Sequence, residues 1–206
     1  MSTHCCPTPD SAVDPRYRRI LWIALLVNAA MFLMEIAAGL QAQSVSLLAD
    51  AVDFFGDAAN YGVSLAVLAL LPVWRSRAAL LKGLTMGAFG IFVLVKAAWN
   101  LKTGVIPEPA IMGAVGFVAL IANVSVALML YRYRSGDANM RSVWLCSRND
   151  AIGNMAVILA ALGVFGTGRG WPDIVVALMM GVLALLAAIS VIRQASHELT
   201  LAHKLK

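Results

Sequence analysis

The stretch LLADAVDFFGDAANY, residues 47–61, decides how the rest of the chain is interpreted, because it places three acids in an apolar segment. Asp50, Asp53 and Asp57 are three and four residues apart, so on an α-helix they share one side. One ionised side chain at the centre of a bilayer costs roughly 3 kcal/mol on insertion scales. A stripe of such side chains therefore predicts a helix with a polar, buried face that has a specific use.

The composition indicates the environment of this helix. Hydrophobic residues make up 61% of the chain and charged residues 13%, whereas soluble domains average roughly 45–50% and 25%. A bilayer core requires about 20 apolar residues per helix, and six segments are long enough. They are residues 18–40, 45–71, 79–101, 110–132, 142–166 and 171–194. We therefore expect an all-α, multi-pass protein of the cell membrane, with a bacterial inner membrane as the expected location.

The positions of Lys and Arg predict the orientation of the spans, since basic residues near span ends stay on the cytoplasmic side. The predicted cytoplasmic set is Arg16, Arg18, Arg19, Arg75, Arg77, Lys82, Arg132, Arg134, Arg141, Arg193, Lys204 and Lys206. Both termini are then cytoplasmic, with a flexible head (1–17), a six-helix transmembrane domain (18–194) and a short tail (195–206). This asymmetry accounts for the net charge of +5, so the lipid bilayer is the expected surroundings and no nucleic-acid partner is predicted.

The acids on span 2 favour a cation site. Like charges this close do not all stay ionised in a low dielectric, so without a counter-ion they hold protons, and a divalent cation reverses that preference. Span 5 offers Cys146, Asp150 and Asn154 at intervals of four residues. If the two faces meet, Asp53, Asp57 and Asp150 with Cys146 provide three carboxylates and a thiolate. Such a set suits a tetrahedral site for zinc or a similar transition ion better than magnesium or calcium.

The segments SVSLLADAVDFFGDAANYGVSL (44–65), RNDAIGN (148–154) and GWPD (170–173) together resemble the cation diffusion facilitator family of metal-ion/proton antiporters, across the six-span region. The resemblance implies that Asp53 and Asp57 on span 2, with Cys146 and Asp150 on span 5, bind the transported ion. Asp50 matches a family acid that is not usually a ligand. The implied activity is efflux of a divalent transition metal, with Zn²⁺ favoured and Cd²⁺ or Co²⁺ as further candidates, in exchange for protons by alternating access. The metal is cargo, so neither a prosthetic group nor an enzymatic activity is expected.

Two departures from the family pattern change these expectations. Zinc-transporting members commonly have His at the first span-5 position, and Cys146 makes the site softer and shifts its metal preference. The family usually carries a cytosolic ferredoxin-like domain after span 6, whereas here SHELTLAHKLK follows. We therefore expect a short form whose homodimer is held by transmembrane helices, with GLTMG, Gly83 to Gly87, as a candidate GxxxG contact.

Several side chains keep more than one interpretation. The span-2 acids could be neutralised structurally by Lys96 or Arg148, and Cys146 could be a small buried apolar residue. Asn154 is either a hydrogen-bond partner of a ligand or a packing residue. Asn28 and Glu35 share a face of span 1, and either line an access path or hydrogen-bond between helices.

The head contains His4, Cys5 and Cys6, three residue types that bind metals. Metal capture and simple disorder are both open for this segment, because adjacent cysteines lack the CxxC spacing of a strong zinc site. Two other classes of protein also remain as alternatives to an antiporter: a membrane-embedded metal-dependent enzyme and a non-transporting membrane scaffold.

Overall fold

The computed structural model describes residues 15–66, 72–133 and 138–204, and the head residues His4, Cys5 and Cys6 lie outside this part. Within it the chain forms α-helices and no β-strand. The helices are α1 (Pro15–Ala42), α2 (Val45–Ala66), α3 (Pro72–Thr103), α4 (Pro109–Tyr131), α5 (Ala138–Thr167) and α6 (Trp171–Lys204). The predicted all-α class is confirmed.

The main differences from the predicted spans lie at the helix ends. Helix α3 begins at Pro72 rather than at residue 79, and α6 continues through most of the predicted tail to Lys204. Proline is well tolerated at the first turn of a helix, and residues 195–204 contain no glycine or proline that would end α6. Hydropathy therefore marks the membrane-buried part of each helix, whereas the helices themselves extend beyond it.

Five of these helices are long and apolar enough to cross a membrane. The qualifying segments among the described residues are Pro15–Ala42, Ser76–Thr103, Pro109–Tyr131, Ser147–Thr167 and Trp171–His197. Helix α2 has 22 residues, which at about 1.5 Å per residue also suffices for a bilayer core. Its three acids set it apart in composition. The chain is thus a multi-pass membrane protein with one span of unusual polarity.

Helix α2 lies at the centre of the packing. The closest pairs are α1 with α2, α4 with α5, and α3 with α6. In addition α2 contacts α3, α5 and α6, α1 contacts α4, and α5 contacts α6. Helices α1, α2, α5 and α4 therefore form a ring of four, and the α3–α6 pair packs against its α2–α5 side. This arrangement turns the acidic face of α2 toward α5.

The GLTMG motif of α3 is used inside the chain. A Cβ added at Gly83 would lie 2.8 Å from Cγ1 of Ile192, and one at Gly87 would lie 3.6 Å from Cβ of Ala188. Both neighbours belong to α6, so the small residues allow α3 and α6 to approach closely. The motif's expected role in a dimer contact is corrected accordingly, and a dimer would have to use another surface.

One end of the bundle, here named the tied end, consists of the α1–α2, α3–α4 and α5–α6 connections. Its centre is the carboxylate of Asp173, which is 1% exposed. Oδ1 accepts hydrogen bonds from Ser44 Oγ at 2.7 Å and Ser46 N at 3.0 Å, and Oδ2 accepts one from Val45 N at 2.8 Å. An acid at a helix N-terminus satisfies N–H groups that have no partner within the helix and complements the helix dipole. Asp173 on α6 therefore fastens the first turn of α2.

Candidate metal site

The acidic face of α2 meets α5 at Asp57, which is 7% exposed. Its carboxyl group lies close enough to the Asp150 carboxyl on α5 for the two to interact electrostatically. The Tyr61 hydroxyl donates to Asp57 Oδ2 at 3.1 Å and lies 2.7 Å from Ser147 Oγ. Tyr61 is one turn beyond Asp57 on α2 and Ser147 is three residues before Asp150 on α5. A second contact between the two helices therefore supports the carboxyl pair.

Asp53 belongs to the same cluster. It lies close enough to Asp50 and Asp57 to interact with both electrostatically, and Asp150 interacts in the same way with Asp53. Asp150 Oδ2 is buried and has no hydrogen-bond partner among the described residues. Asp53, Asp57 and Asp150, the three acids predicted from the sequence as ligands, thus lie within electrostatic range of one another.

The fourth selected ligand, Cys146, lies on α5 one turn before Asp150, and its side chain is outside the described part. Among the described side chains, no group of three His, Cys, Asp or Glu is arranged as a ready metal site. Oxygen donors on two facing helices are chemically suited to a divalent cation, and a thiolate would favour a transition metal.

The acids continue from this site toward the tied end. Glu35 of α1 is fully buried and lies within electrostatic range of Asp50, which is 1% exposed. Neither carboxylate oxygen of Glu35 finds a partner among the residues described. Glu35, Asp50, Asp53 and Asp57 therefore form one row that begins at α1 and follows α2 to its contact with α5. Unpaired buried carboxylates are costly unless they bind protons or a cation.

The two asparagines selected from the sequence also face the interior. Asn28 and Asn154 are both 0% exposed. Asn28 Nδ2 donates to the Ala24 carbonyl at 2.8 Å, which is a bond within α1. Both side-chain polar atoms of Asn154 lack partners in the described part of the chain. Their burial agrees with each of the roles that the sequence left open for them.

Lys82 of α3 lies within electrostatic range of Asp57. Its Nζ donates a hydrogen bond to Oδ1 of Asn60, which is three residues beyond Asp57 on α2. The sequence instead indicated Lys96 or Arg148 as possible structural partners of the acids. The Arg148 side chain is exposed and donates to Asn149 Oδ1 at 3.1 Å, and Lys96 is half-buried.

Four residues of this region were missed as site residues by sequence reasoning: Tyr61, Lys82, Ser147 and Asp173. For Tyr61 the signal was its spacing of four residues from Asp57. Asp173 stood within the quoted GWPD segment without an assigned role. Lys82 was used only as a basic residue that predicts the orientation of the spans, because its contact with α2 depends on helix packing.

Known proteins resemble this chain over most of its length. A family model described as the cation efflux transmembrane domain matches residues 21–72 and 73–200. The metal cation efflux system protein CzcD of Cupriavidus metallidurans is 27% identical over 179 residues, which cover 81% of this chain and 57% of that protein. The zinc transporter ZitB of Escherichia coli is 26% identical over 204 residues, covering 90% of this chain and 63% of that protein.

A more distant relative is the Bacillus subtilis protein named cadmium, cobalt and zinc/H(+)-K(+) antiporter. It is 22% identical over 200 residues, which cover 88% of this chain and 63% of that protein. The chain thus spans about 60% of the length of the curated relatives it matches.

Proposed function

Because the chain belongs to the cation diffusion facilitator family, on the match of its cation efflux transmembrane domain, we propose that it exports a divalent transition-metal cation in exchange for protons. The observation that carries the proposal is the carboxyl pair Asp57–Asp150 between α2 and α5, with Asp53 beside it. Carboxylates bind a metal only when deprotonated, so metal and protons compete for the same oxygens. Such competition is what an exchange mechanism requires.

In the proposed cycle the ion enters from the cytoplasm, loses water to Asp53, Asp57 and Asp150, and displaces their protons. The helices then rock so that the site opens to the other side, where incoming protons release the metal. With both termini cytoplasmic, as the basic residues predict, the tied end faces outward. The hydrogen bonds from the first turn of α2 to Asp173 then hold α2 against α6 at this outer end while the helices move.

We propose Zn²⁺ as the favoured cargo, with Cd²⁺ and Co²⁺ as further substrates. One relative is named a zinc transporter, and another is named for cadmium, cobalt and zinc. Cys146 as a fourth ligand would favour these soft or borderline ions over Mg²⁺ and Ca²⁺. A homodimer formed through transmembrane helices also remains a proposal, and its surface is not the GLTMG motif.

The two alternative classes make different predictions. A metal-dependent enzyme would keep an open coordination position and turn over a substrate, whereas this family consists of transporters. A membrane scaffold would tolerate loss of a carboxylate at Asp57. Replacement of Asp57 therefore separates the scaffold from the transporter.

The test is metal flux into proteoliposomes under an imposed pH gradient, with Zn²⁺, Cd²⁺, Co²⁺ and Mn²⁺ supplied in turn. Asp57→Asn and Asp150→Asn keep the side-chain shape and remove one ligand charge each, so transport should fall at least tenfold. Glu108→Gln is the matched control, because Glu108 is an exposed acid with no side-chain capping bond. Equal flux in wild type and Asp57→Asn, or no gradient-dependent flux in wild type, would refute the proposal.

A further inference from the structure

The packing contact between α2 and α3 places a basic side chain beside the proposed ion site. A Cβ at Gly56 would lie 3.1 Å from Cε of Met86, and one turn further along both helices Lys82 Nζ donates to Asn60 Oδ1. The two contacts share one antiparallel register, since moving four residues forward on α2 corresponds to four residues backward on α3. The position of Lys82 is therefore set by helix packing and does not depend on a single flexible contact.

Asp57 lies on α2 between Gly56 and Asn60, which brings its carboxylate within the electrostatic range of Lys82. Lys82 is only partly exposed. A charge in such surroundings is screened less by water than a surface charge. Asn60 is further from the tied end than Asp57, so Lys82 stands on the side of the site from which the proposed cycle admits the ion.

The charges of the cluster give this lysine a role. Asp53, Asp57 and Asp150 carry three negative charges when ionised, and Lys82 reduces the sum to two. Since the Lys82 ammonium and a bound metal are both attracted to Asp57 and repel each other, each weakens the binding of the other.

We propose that Lys82 is a built-in competing cation for the ion site, held at Asp57 by Asn60, which lowers metal affinity and allows the bound ion to leave. This inference rests on the proposed function, because it assigns a role to a neighbour of the same site. Lys82 does not ligate the metal and acts through Asp57. Its removal therefore tightens binding, whereas removal of a ligand weakens it.

The experiment measures equilibrium affinity for Zn²⁺ and the rate of Zn²⁺ release to a chelator, using the full chain in detergent or nanodiscs at pH 8. Lys82→Gln removes the charge and retains an amide donor for Asn60. We expect about a tenfold tighter dissociation constant, which corresponds to about 1.4 kcal/mol, and a slower release. Lys82→Arg keeps the charge and should stay near wild type. Lys96→Gln, a charge removal on the same helix, should also leave both values unchanged.

The outcomes separate this inference from the proposed function. Unchanged affinity in Lys82→Gln, or equal behaviour of Lys82→Gln and Lys82→Arg, would overturn the competing-cation role, provided that wild type binds Zn²⁺ and Asp57→Asn does not. Weaker binding in Lys82→Gln would also overturn it, because Lys82 would then support the site. If Lys82→Gln does not fold, Lys82→Met tests the same loss of charge with an apolar chain of similar length. No binding in wild type would instead refute the proposed function.

Discussion

Replacing Asp173 tests whether the tied end holds α2 in place. Its carboxylate accepts three hydrogen bonds, from Ser44 Oγ, Val45 N and Ser46 N, at 2.7–3.0 Å. In Asp173→Ala the Ser44 hydroxyl can turn to Ser46 Oγ, which lies 3.3 Å away, but the two backbone N–H groups lose their acceptor. An unpaired buried donor costs about 1–3 kcal/mol, and loss of the charge at the helix N-terminus adds about 0.3–1 kcal/mol.

The expected loss of stability for Asp173→Ala is therefore about 2–7 kcal/mol. For a chain of this size a loss of 1 kcal/mol lowers the melting temperature by roughly 2–4 °C, so thermal unfolding in detergent should shift by on the order of 10 °C. Asp173→Asn keeps one acceptor oxygen and loses the charge, so its shift should be smaller. Metal affinity should fall in both variants, because the first turn of α2 would no longer be fixed to α6, which packs against both α2 and α5.

Glu108→Gln is the matched control for this experiment. Glu108 is an acid at the same end of the bundle, directly before α4, and its exposed side chain makes no capping bond. Its replacement should change stability by less than about 0.5 kcal/mol. A melting temperature for Asp173→Ala within 1 °C of wild type, or equal shifts for Asp173→Ala and Glu108→Gln, would refute the role assigned to the tied end.

Three further predictions concern packing, the site and its pH dependence. Gly83→Ala should destabilise the protein by about 1–3 kcal/mol in thermal unfolding, because its Cβ would meet Ile192 Cγ1 at 2.8 Å; Gly166→Ala, with open space around it, should not. Tyr61→Phe removes the hydroxyl that bonds to Asp57, so calorimetry should show Zn²⁺ affinity weakened a few-fold, and complete loss of binding would instead make the hydroxyl a ligand. Affinity measured at pH 8, 7 and 6 should fall with pH because protons occupy the carboxylates, and a flat or rising profile would contradict competition.

The fold could be predicted from the sequence because hydropathy and length determine membrane spans directly. The acidic spacing on span 2 and span 5 also predicted that Asp53, Asp57 and Asp150 lie near one another, since residues four apart share a helical face. Their meeting across α2 and α5 needed only that two polar faces avoid lipid. These predictions depend on local pattern and on the solvent.

The residues that escaped prediction act through contacts between distant parts of the chain. Asp173 reaches the start of α2 from 127 residues away, and no local pattern on α6 specifies that partner. The sequence identified Lys82 only as one of the basic residues that predict the cytoplasmic side of the membrane. Its contact with Asn60 follows from the register of α2 against α3. The GxxxG motif likewise predicts a close helix contact and does not state whether the partner helix belongs to the same chain.

The most direct test of the ion site is an anomalous difference map at the zinc absorption edge, from crystals of the full chain grown with Zn²⁺. The proposal predicts one strong peak between α2 and α5, within ligand distance of Asp53, Asp57 and Asp150, that disappears in Asp57→Asn. With Cys146 as the fourth ligand, its sulfur would lie about 2.3 Å from the peak. A peak elsewhere in wild type, or one that persists between α2 and α5 in Asp57→Asn, would contradict the assignment of these acids as the transport site.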